Sequence, residues 1–300
     1  MLGCIAFKIY LPLAYTTIRG MANELVRFDW AMKRLLRQKS NFVILEGLIS
    51  ELLKEDVKIQ QILESESNQQ TNVDKFNRVD ILALNSTNEL VIIEVQNTKQ
   101  YDYFHRMLYG TSKATAEHLD LGSPYSEIKK VYSINIVYFD LGQGEDYVYH
   151  GKANFVGIHQ GDVLGLSEKQ QELFGKQKVY QIFPEYYVVK VNNFNDLAKD
   201  TLDEWVYYLK NDEVLKNAKA KGLKQVSEFL TLQNLTPAEK RDYYQEMENN
   251  RLTKSVLDTA RMDGERNNAK ETASKMKAKG FDNEAIHELT GLPMHLIEKL

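Results

Sequence analysis

One stretch of the chain decides the fold: VDILALNSTNELVIIEVQ, residues 79–96. Two apolar runs flank a polar cluster, NSTNE at 85–89, which is typical of a tight turn between antiparallel strands. If the turn is centred on Thr87, then Leu84 faces Leu90 across the strand pair. The sequence therefore predicts a β-hairpin with a defined register.

The same register places two carboxylates opposite each other at the end of the hairpin far from the turn. Asp80 faces Glu94, and the two-residue period of a strand puts both on the face that carries the apolar residues. Like charges in this arrangement repel each other and destabilise the pair. A bound Mg²⁺ or Mn²⁺ would remove this cost, with the main-chain carbonyl of Val95 as a further oxygen ligand. The alternative is that Arg78 neutralises the two carboxylates in a surface cluster of ion pairs.

Outside the hairpin, the periodicity of the apolar residues predicts further helices and strands. Helices are predicted at 24–38, 41–54 and 99–120. Strands are predicted at 57–63, 130–139, 146–158 and 178–191. After Asn195 the pattern becomes charged and helical. The chain is thus predicted to be an α/β protein followed by an all-α region.

These patterns divide the chain into three parts. Residues 1–20 are apolar, but Lys8 and Pro12 interrupt them, so they fit neither a signal peptide nor a membrane span. We expect a disordered extension there, or one that results from a mis-assigned start ahead of Met21. The other predicted parts are an α/β domain at 21–194 and a helical region at 195–300, with a helix-turn-helix-like tail at 281–300.

Composition narrows the class of protein. The formal net charge is −4, from 38 basic and 42 acidic side chains, which excludes a small, strongly basic nucleic-acid module but not local basic patches. Cys4 is the single cysteine, so the chain has no internal disulfide framework and no cysteine-based zinc site. A reducing, cytoplasmic location is the expectation.

The hairpin carries a resemblance to a known family. Asp80, followed after the turn by Glu94-Val95-Gln96, resembles the D…(D/E)-x-K signature of the PD-(D/E)XK nuclease superfamily. More narrowly, it resembles the branch called recombination-promoting nuclease or putative transposase, in which the last position is typically Gln. Further segments are similar to motifs of that branch, at 29–33 (its D-x-x-F-K, with Met32 in place of Phe), 104–140, 202–211 and 277–300.

The resemblance implies a restriction-endonuclease-like core, a mixed β-sheet flanked by helices, with an all-α C-terminal extension. It also implies a Mg²⁺-dependent DNA endonuclease, with Mn²⁺ as a substitute metal, that hydrolyses phosphodiester bonds and supports recombination or transposition. Asp80 and Glu94 would ligate the metal, and Asp29 would complete its shell through water. Gln96 stands where the wider superfamily has lysine, so it can orient a water but carries no charge. This departure keeps an alternative open, a nuclease-derived DNA-binding or interaction protein that is catalytically weak or inactive.

Basic residues near these positions are candidates for contacting DNA. Lys33 and Arg37 lie four residues apart, on one face of a predicted helix, and Arg78 and Arg106 fall near the carboxylates in the sequence. Such cations can hold DNA phosphates beside a metal site. The alternative is that they form a solvated helix face or act as structural cations. DNA is therefore the predicted partner, no membrane partner is predicted, and homo-oligomer formation is left open.

Overall fold

The computed structural model describes residues 24–63 and 80–300 of the chain. In these ranges, six strands form one sheet: β1 (Ile59–Ile62), β2 (Ile81–Asn85), β3 (Leu90–Gln96), β4 (Val131–Val137), β5 (Val148–Gly151) and β6 (Glu185–Lys190). Their spatial order is β1-β2-β3-β4-β6-β5. β3, β4 and β6 run parallel, and the other neighbours pair antiparallel. The mixed sheet that the resemblance implied is confirmed.

Helices surround this sheet and make up the C-terminal part of the chain. The α-helices of the described residues are α1 (Phe28–Arg34), α2 (Phe42–Leu53), α3 (Tyr103–Glu117), α4 (Glu168–Phe174), α5 (Thr201–Asn211), α6 (Leu223–Phe229), α7 (Pro237–Ala278), α8 (Asn283–Thr290) and α9 (Met294–Ile297). The chain divides into two compact units after Leu235. None of the helices in the described ranges combines the length and the hydrophobicity that a membrane span requires.

The predicted hairpin is present in the predicted register. Leu84 pairs with Leu90, and the register continues without interruption to Ile81 and Ile93. The side chain of Asn85 closes the turn, because its Oδ1 accepts the backbone N–H groups of Thr87 at 3.1 Å and Glu89 at 2.7 Å. Local turn chemistry and the two-residue period therefore fix the register together.

One face of the hairpin packs against α3, the helix that connects the parallel strands β3 and β4. A buried cluster joins them, formed by Leu82, Leu90, Ile92, Ala114 and Val131. A neighbouring cluster contains Tyr103 and Met107 of α3 together with Val137 and Val188 of the sheet. Parallel strands need a crossover of this kind, and α3 supplies it while covering the face on which Glu94 lies.

Tertiary pairing shortens the first predicted helix. The sequence predicts a helix over 24–38, but α1 begins only at Phe28 and ends at Arg34. The preceding residues are extended and pair with a distant segment: the N–H of Val26 donates to the carbonyl of Leu230, and the N–H of Leu232 donates to that of Glu24. The residues before α1 therefore form a small bridge instead of a helical turn.

The second unit consists of α7, α8 and α9. α8 and α9 pack on the end of α7 through a small core of Ala273, Ile286, Leu292 and Ile297. Asp282 caps α8 by accepting the N–H of Ala285, and Gly291 ends it with a φ of 68°. The two short helices expected at 281–300 are therefore present. The extension expected at 1–20 lies outside the described residues.

Candidate functional site

The structure brings the two predicted carboxylates together at one end of the sheet. Glu94 lies on β3 and is only 8% exposed, while Asp80 directly precedes β2 and is half-buried. Asp80 Oδ2 accepts the backbone N–H of Val95 at 2.8 Å. Because Val95 follows Glu94 directly, this bond holds Asp80 beside the strand that carries the second carboxylate.

Both carboxylates are held where ionisation is unfavourable. Burial raises the pKa of Glu94 to about 7, and the charge of Asp80 contributes, although Arg106 opposes the shift with its Nε 3.3 Å from Glu94 Oε2. Burial also raises the pKa of Asp80, and the Val95 N–H and nearby cations offset it only in part. Adjacent carboxylates with raised pKa values are often found at functional sites, where a further cation stabilises them.

Three of the four predicted cations surround Asp80. The charges of Lys33, Arg106 and Arg37 all act to lower its pKa. The guanidinium of Arg37 donates from Nη2 to the main-chain carbonyl of Asp80 at 2.6 Å. Lys33 and Arg37 are exposed, as phosphate contacts require. The fourth cation, Arg78, lies outside the described residues.

Arg37 contacts Asp80 from a backbone position that the sequence did not predict. The predicted helix was to carry Lys33 and Arg37 on one face, but α1 ends at Arg34 and Arg37 lies in the turn that follows. That turn is wider than a regular helical turn, since the N–H of Leu36 donates to the carbonyl of Ala31. The expected shared helix face is therefore wrong, although both side chains lie near the same carboxylate.

Gln96 lies at the end of β3, two residues beyond Glu94. Period-two geometry puts its side chain on the same face of the sheet. The side chain is partly exposed, and its Nε2 donates to the carbonyl of Thr98 at 3.3 Å. The backbone is fixed as well, because the carbonyl of Gln96 accepts the N–H of Tyr138 at 3.0 Å. An uncharged hydrogen-bonding group is thus held at the edge of the carboxylate pair.

Asp29 is buried on α1, and hydrogen bonds surround its carboxylate. Oδ1 accepts from Arg27 Nε at 3.0 Å and from the Trp30 N–H at 2.9 Å. Oδ2 accepts from Arg27 Nη2 at 3.2 Å and from Asn97 Nδ2 at 2.7 Å. Burial acts to raise the pKa of Asp29, but these donors outweigh it, and the pKa is lowered. Asp29 therefore contacts the residue that directly follows Gln96.

Sequence reasoning missed two polar residues near the pair, Asn135 and Tyr103. Asn135 on β4 lies directly beside Glu94 in the parallel ladder and is buried. The hydroxyl of Tyr103 donates to its Oδ1 at 3.3 Å. The one available signal was a polar residue inside the apolar run VYSINIV, residues 131–137. Its position beside Glu94 depends on the register of the parallel strands, which no local pattern gives.

The oxygen atoms present suit a small divalent cation. Within residues 24–63 and 80–300, no three His, Cys, Asp or Glu side chains form a metal-binding group. Mg²⁺, however, is commonly held by one or two carboxylates together with water and substrate phosphate. The N–H and C=O groups of one strand residue point to the same side of the strand. Because the Val95 N–H donates to Asp80, the Val95 carbonyl points toward Asp80 as well. This carbonyl lies beyond the last β2–β3 pair, Ile81 with Ile93. Asp80, Glu94 and this carbonyl therefore form a donor set that fits Mg²⁺ or Mn²⁺.

Comparison with known proteins agrees with this geometry. The family model described as PD-(D/E)XK nuclease family transposase matches residues 26–260. The match spans α1, the hairpin, α3 and the rest of the sheet, and so includes all the described site residues. Neither the curated proteins nor the solved structures gave a match to the chain.

Proposed function

Because the chain belongs to the PD-(D/E)XK nuclease family transposases, we propose that it is a metal-dependent DNA endonuclease that hydrolyses phosphodiester bonds. One observation carries the proposal: the buried carboxylate of Glu94 and the half-buried carboxylate of Asp80 lie together at the end of β3, with the exposed cations Lys33 and Arg37 near Asp80. Asp80 and Glu94 would hold Mg²⁺ or Mn²⁺, with the Val95 carbonyl as a further ligand. When bound, the metal lowers the pKa of a water and stabilises charge on the scissile phosphate.

The other residues act by binding and orientation. Lys33 and Arg37 bind phosphates of the DNA backbone next to the pair, because both are exposed and their charges reach Asp80. Arg106 binds Glu94 and fixes the direction of its carboxylate. Gln96 orients the attacking water by hydrogen bonding. The absence of charge at Gln96 leaves Lys33 and Arg37 to stabilise the negative phosphate. Cleavage of this kind would support recombination or transposition.

The test is cleavage of supercoiled plasmid by the purified protein. The wild type is expected to nick the plasmid with Mg²⁺ and to stop in EDTA. Asp80→Ala is expected to lose both nicking and the heat of Mn²⁺ binding, since it removes a ligand. Asp120→Ala is the matched control, because it removes an exposed carboxylate after α3 without touching the pair. Equal nicking by Asp80→Ala, or none by the wild type, would contradict the assignment, and DNA binding without cleavage would favour the inactive alternative.

A second prediction tests the phosphate contact of Lys33. Lys33→Gln is expected to weaken DNA binding to all sequences alike and to reduce the slope of log K against log salt by about 0.9, the value for one phosphate contact. Fluorescence anisotropy of a labelled duplex in metal-free buffer over a range of NaCl concentrations measures this slope. Lys169→Gln, on the exposed surface of α4, is the control and should leave it unchanged. An unchanged slope for Lys33→Gln would show that this lysine contacts no phosphate.

A further inference from the structure

A fully exposed aromatic residue lies in the loop that follows β3, the strand that carries Glu94. Tyr101 is 92% exposed, although it is a large ring five residues after Gln96. The ammonium of Lys99 lies 5.2 Å from the centre of this ring. Ring surface left in water contributes little to folding, because burial of apolar surface is what stabilises a fold. Single exposed aromatic rings are common on protein surfaces, so the position of this ring in the β3–α3 loop, together with its exposure, suggests a role.

The loop that carries Tyr101 is anchored on both sides. Before it, Asn97 donates to Asp29 at 2.7 Å. After it, Tyr103 is buried and bonded to Asn135. The exposed ring is therefore presented from a loop with two fixed ends.

A shared guanidinium places this loop beside the proposed metal ligand. Arg106 contacts Glu94 through Nε at 3.3 Å, and its Nη1 lies 3.5 Å from Oε1 of Gln100. Gln100 directly precedes Tyr101. Arg106 thus links Glu94 to the residue that precedes the tyrosine, on the flank formed by the β3–α3 loop. Lys33 and Arg37 are carried by a different segment, α1 and the turn after it.

We propose that Tyr101 and Lys99 form a subsite for an unpaired nucleobase next to the cut, so that the preferred substrate is DNA with unstacked nucleotides. Aromatic rings bind bases by stacking, which is insensitive to sequence because every base has a π-face. Bases inside a regular duplex are already stacked and cannot reach the ring, whereas those in a gap, bubble or single strand can. Lys99 adds a cation for the adjoining phosphate. This inference rests on the proposed function, because it concerns the same site.

The experiment measures base stacking without cleavage. A DNA bubble and a fully paired duplex of the same sequence each carry one 2-aminopurine, and each is titrated with the full-length protein in EDTA. The wild type is expected to quench 2-aminopurine in the bubble and to bind it more tightly than the duplex. Tyr101→Ala should remove the quenching and weaken bubble binding roughly tenfold, with little effect on the duplex. Tyr101→Trp should retain both properties.

Tyr125→Ala is the matched control. Tyr125 is likewise exposed, at 85%, but it precedes the start of β4, whereas Glu94 lies beside the later part of that strand. This variant should behave like the wild type. Equal losses on bubble and duplex, or no loss with Tyr101→Ala, would overturn the subsite. The plasmid assay separates the two proposals. If the protein prefers the bubble through Tyr101 but does not nick plasmid, the endonuclease proposal is wrong and the subsite proposal is supported. If it nicks plasmid but shows no preference for the bubble, the subsite proposal is wrong and the endonuclease proposal is supported.

Discussion

Glu94→Gln is expected to reduce plasmid nicking by roughly a thousandfold and, in the same protein, to raise the stability of the metal-free form. Activity falls because a proposed metal ligand is lost, and a metal supplies several kcal/mol of transition-state stabilisation. Stability rises because the carboxylate is buried beside Asp80, whose charge repels it. Arg106 loses its charged partner, but its side chain is partly exposed and stays hydrated.

The raised pKa of Glu94 determines how the stability difference between the variant and the wild type changes with pH. The pKa of Glu94 is about 7 in the folded protein, above the ordinary value of 4.5. Between these values the folded state binds more protons than the unfolded state, so stability falls as pH rises through that range. The full effect, reached above pH 7, is about 3 kcal/mol. Glutamine does not titrate, so the variant and the wild type should differ little near pH 4.5 and most near pH 8.

Thermal unfolding in EDTA at several pH values measures the difference. At pH 8 the variant should unfold on the order of 5–10 °C higher than the wild type. Added Mn²⁺ should stabilise the wild type and leave the variant unchanged, because binding to the folded state alone raises its stability. A variant that is less stable than the wild type at pH 8 in EDTA would contradict the electrostatic account.

Glu185→Gln is the matched control, because it makes the same chemical change at another buried glutamate. Glu185 is paired with Lys130 at 2.8 Å and with His150 at 2.6 Å. Removing its charge leaves Lys130 buried without a charged partner, which costs a few kcal/mol. The two substitutions should therefore change stability in opposite directions. The difference lies in the partners: Glu185 pairs with a buried lysine, whereas Glu94 lies beside a second carboxylate as well as the partly exposed Arg106.

The hairpin and its carboxylate pair could be predicted because they depend on local chemistry. The turn residues and the two-residue period lie within one stretch of the chain, and Asp80 and Glu94 belong to it. Once the register follows from Asn85 and the apolar pattern, the opposition of the two acids follows as well. The described structure adds that Glu94 is buried and Asp80 half-buried, which the sequence pattern alone left open.

Features that depend on distant contacts could not be predicted. Arg37 reaches Asp80 from the turn after α1, through a hydrogen bond that spans 43 residues, and α1 begins late because Val26 pairs with Leu230. The strand predicted at 178–191 is likewise reduced to β6, since Lys130 Nζ binds the carbonyl of Tyr180 at 2.8 Å and so holds the first part in a turn. Asn135 lies beside Glu94 through the parallel register that the α3 crossover sets. Each contact joins residues far apart in the chain.

Asp29 has two competing roles, and one substitution separates them. The family motif suggests an acid that completes the metal shell through water. The geometry instead favours a positioning residue, because each carboxylate oxygen already accepts two hydrogen bonds and no acceptor position is left for a water on the metal. A positioning role acts through Asn97, which continues the chain from Gln96.

Asp29→Asn is expected to lower the free energy of unfolding by about 3 kcal/mol and to reduce nicking, while leaving Mn²⁺ affinity unchanged. The amide turns one acceptor into a donor, so that its NH₂ group faces Arg27 in either orientation, together with the Trp30 N–H or with Asn97. Arg27 also loses its charged partner in a partly buried place. Chemical denaturation, plasmid nicking and calorimetric titration with Mn²⁺ measure the three quantities.

Asn97→Ala provides the second arm, because it removes the same hydrogen bond from the other side. If Asp29 acts through Asn97, the double variant should be hardly less active than Asp29→Asn alone, and the two effects on stability should be non-additive, as expected for groups in direct contact. If Asp29 instead completes the metal shell, Mn²⁺ affinity should fall in Asp29→Asn and stay normal in Asn97→Ala, with additive losses of activity. A ligand must change the metal affinity, whereas a positioning residue changes activity through the neighbour that it holds.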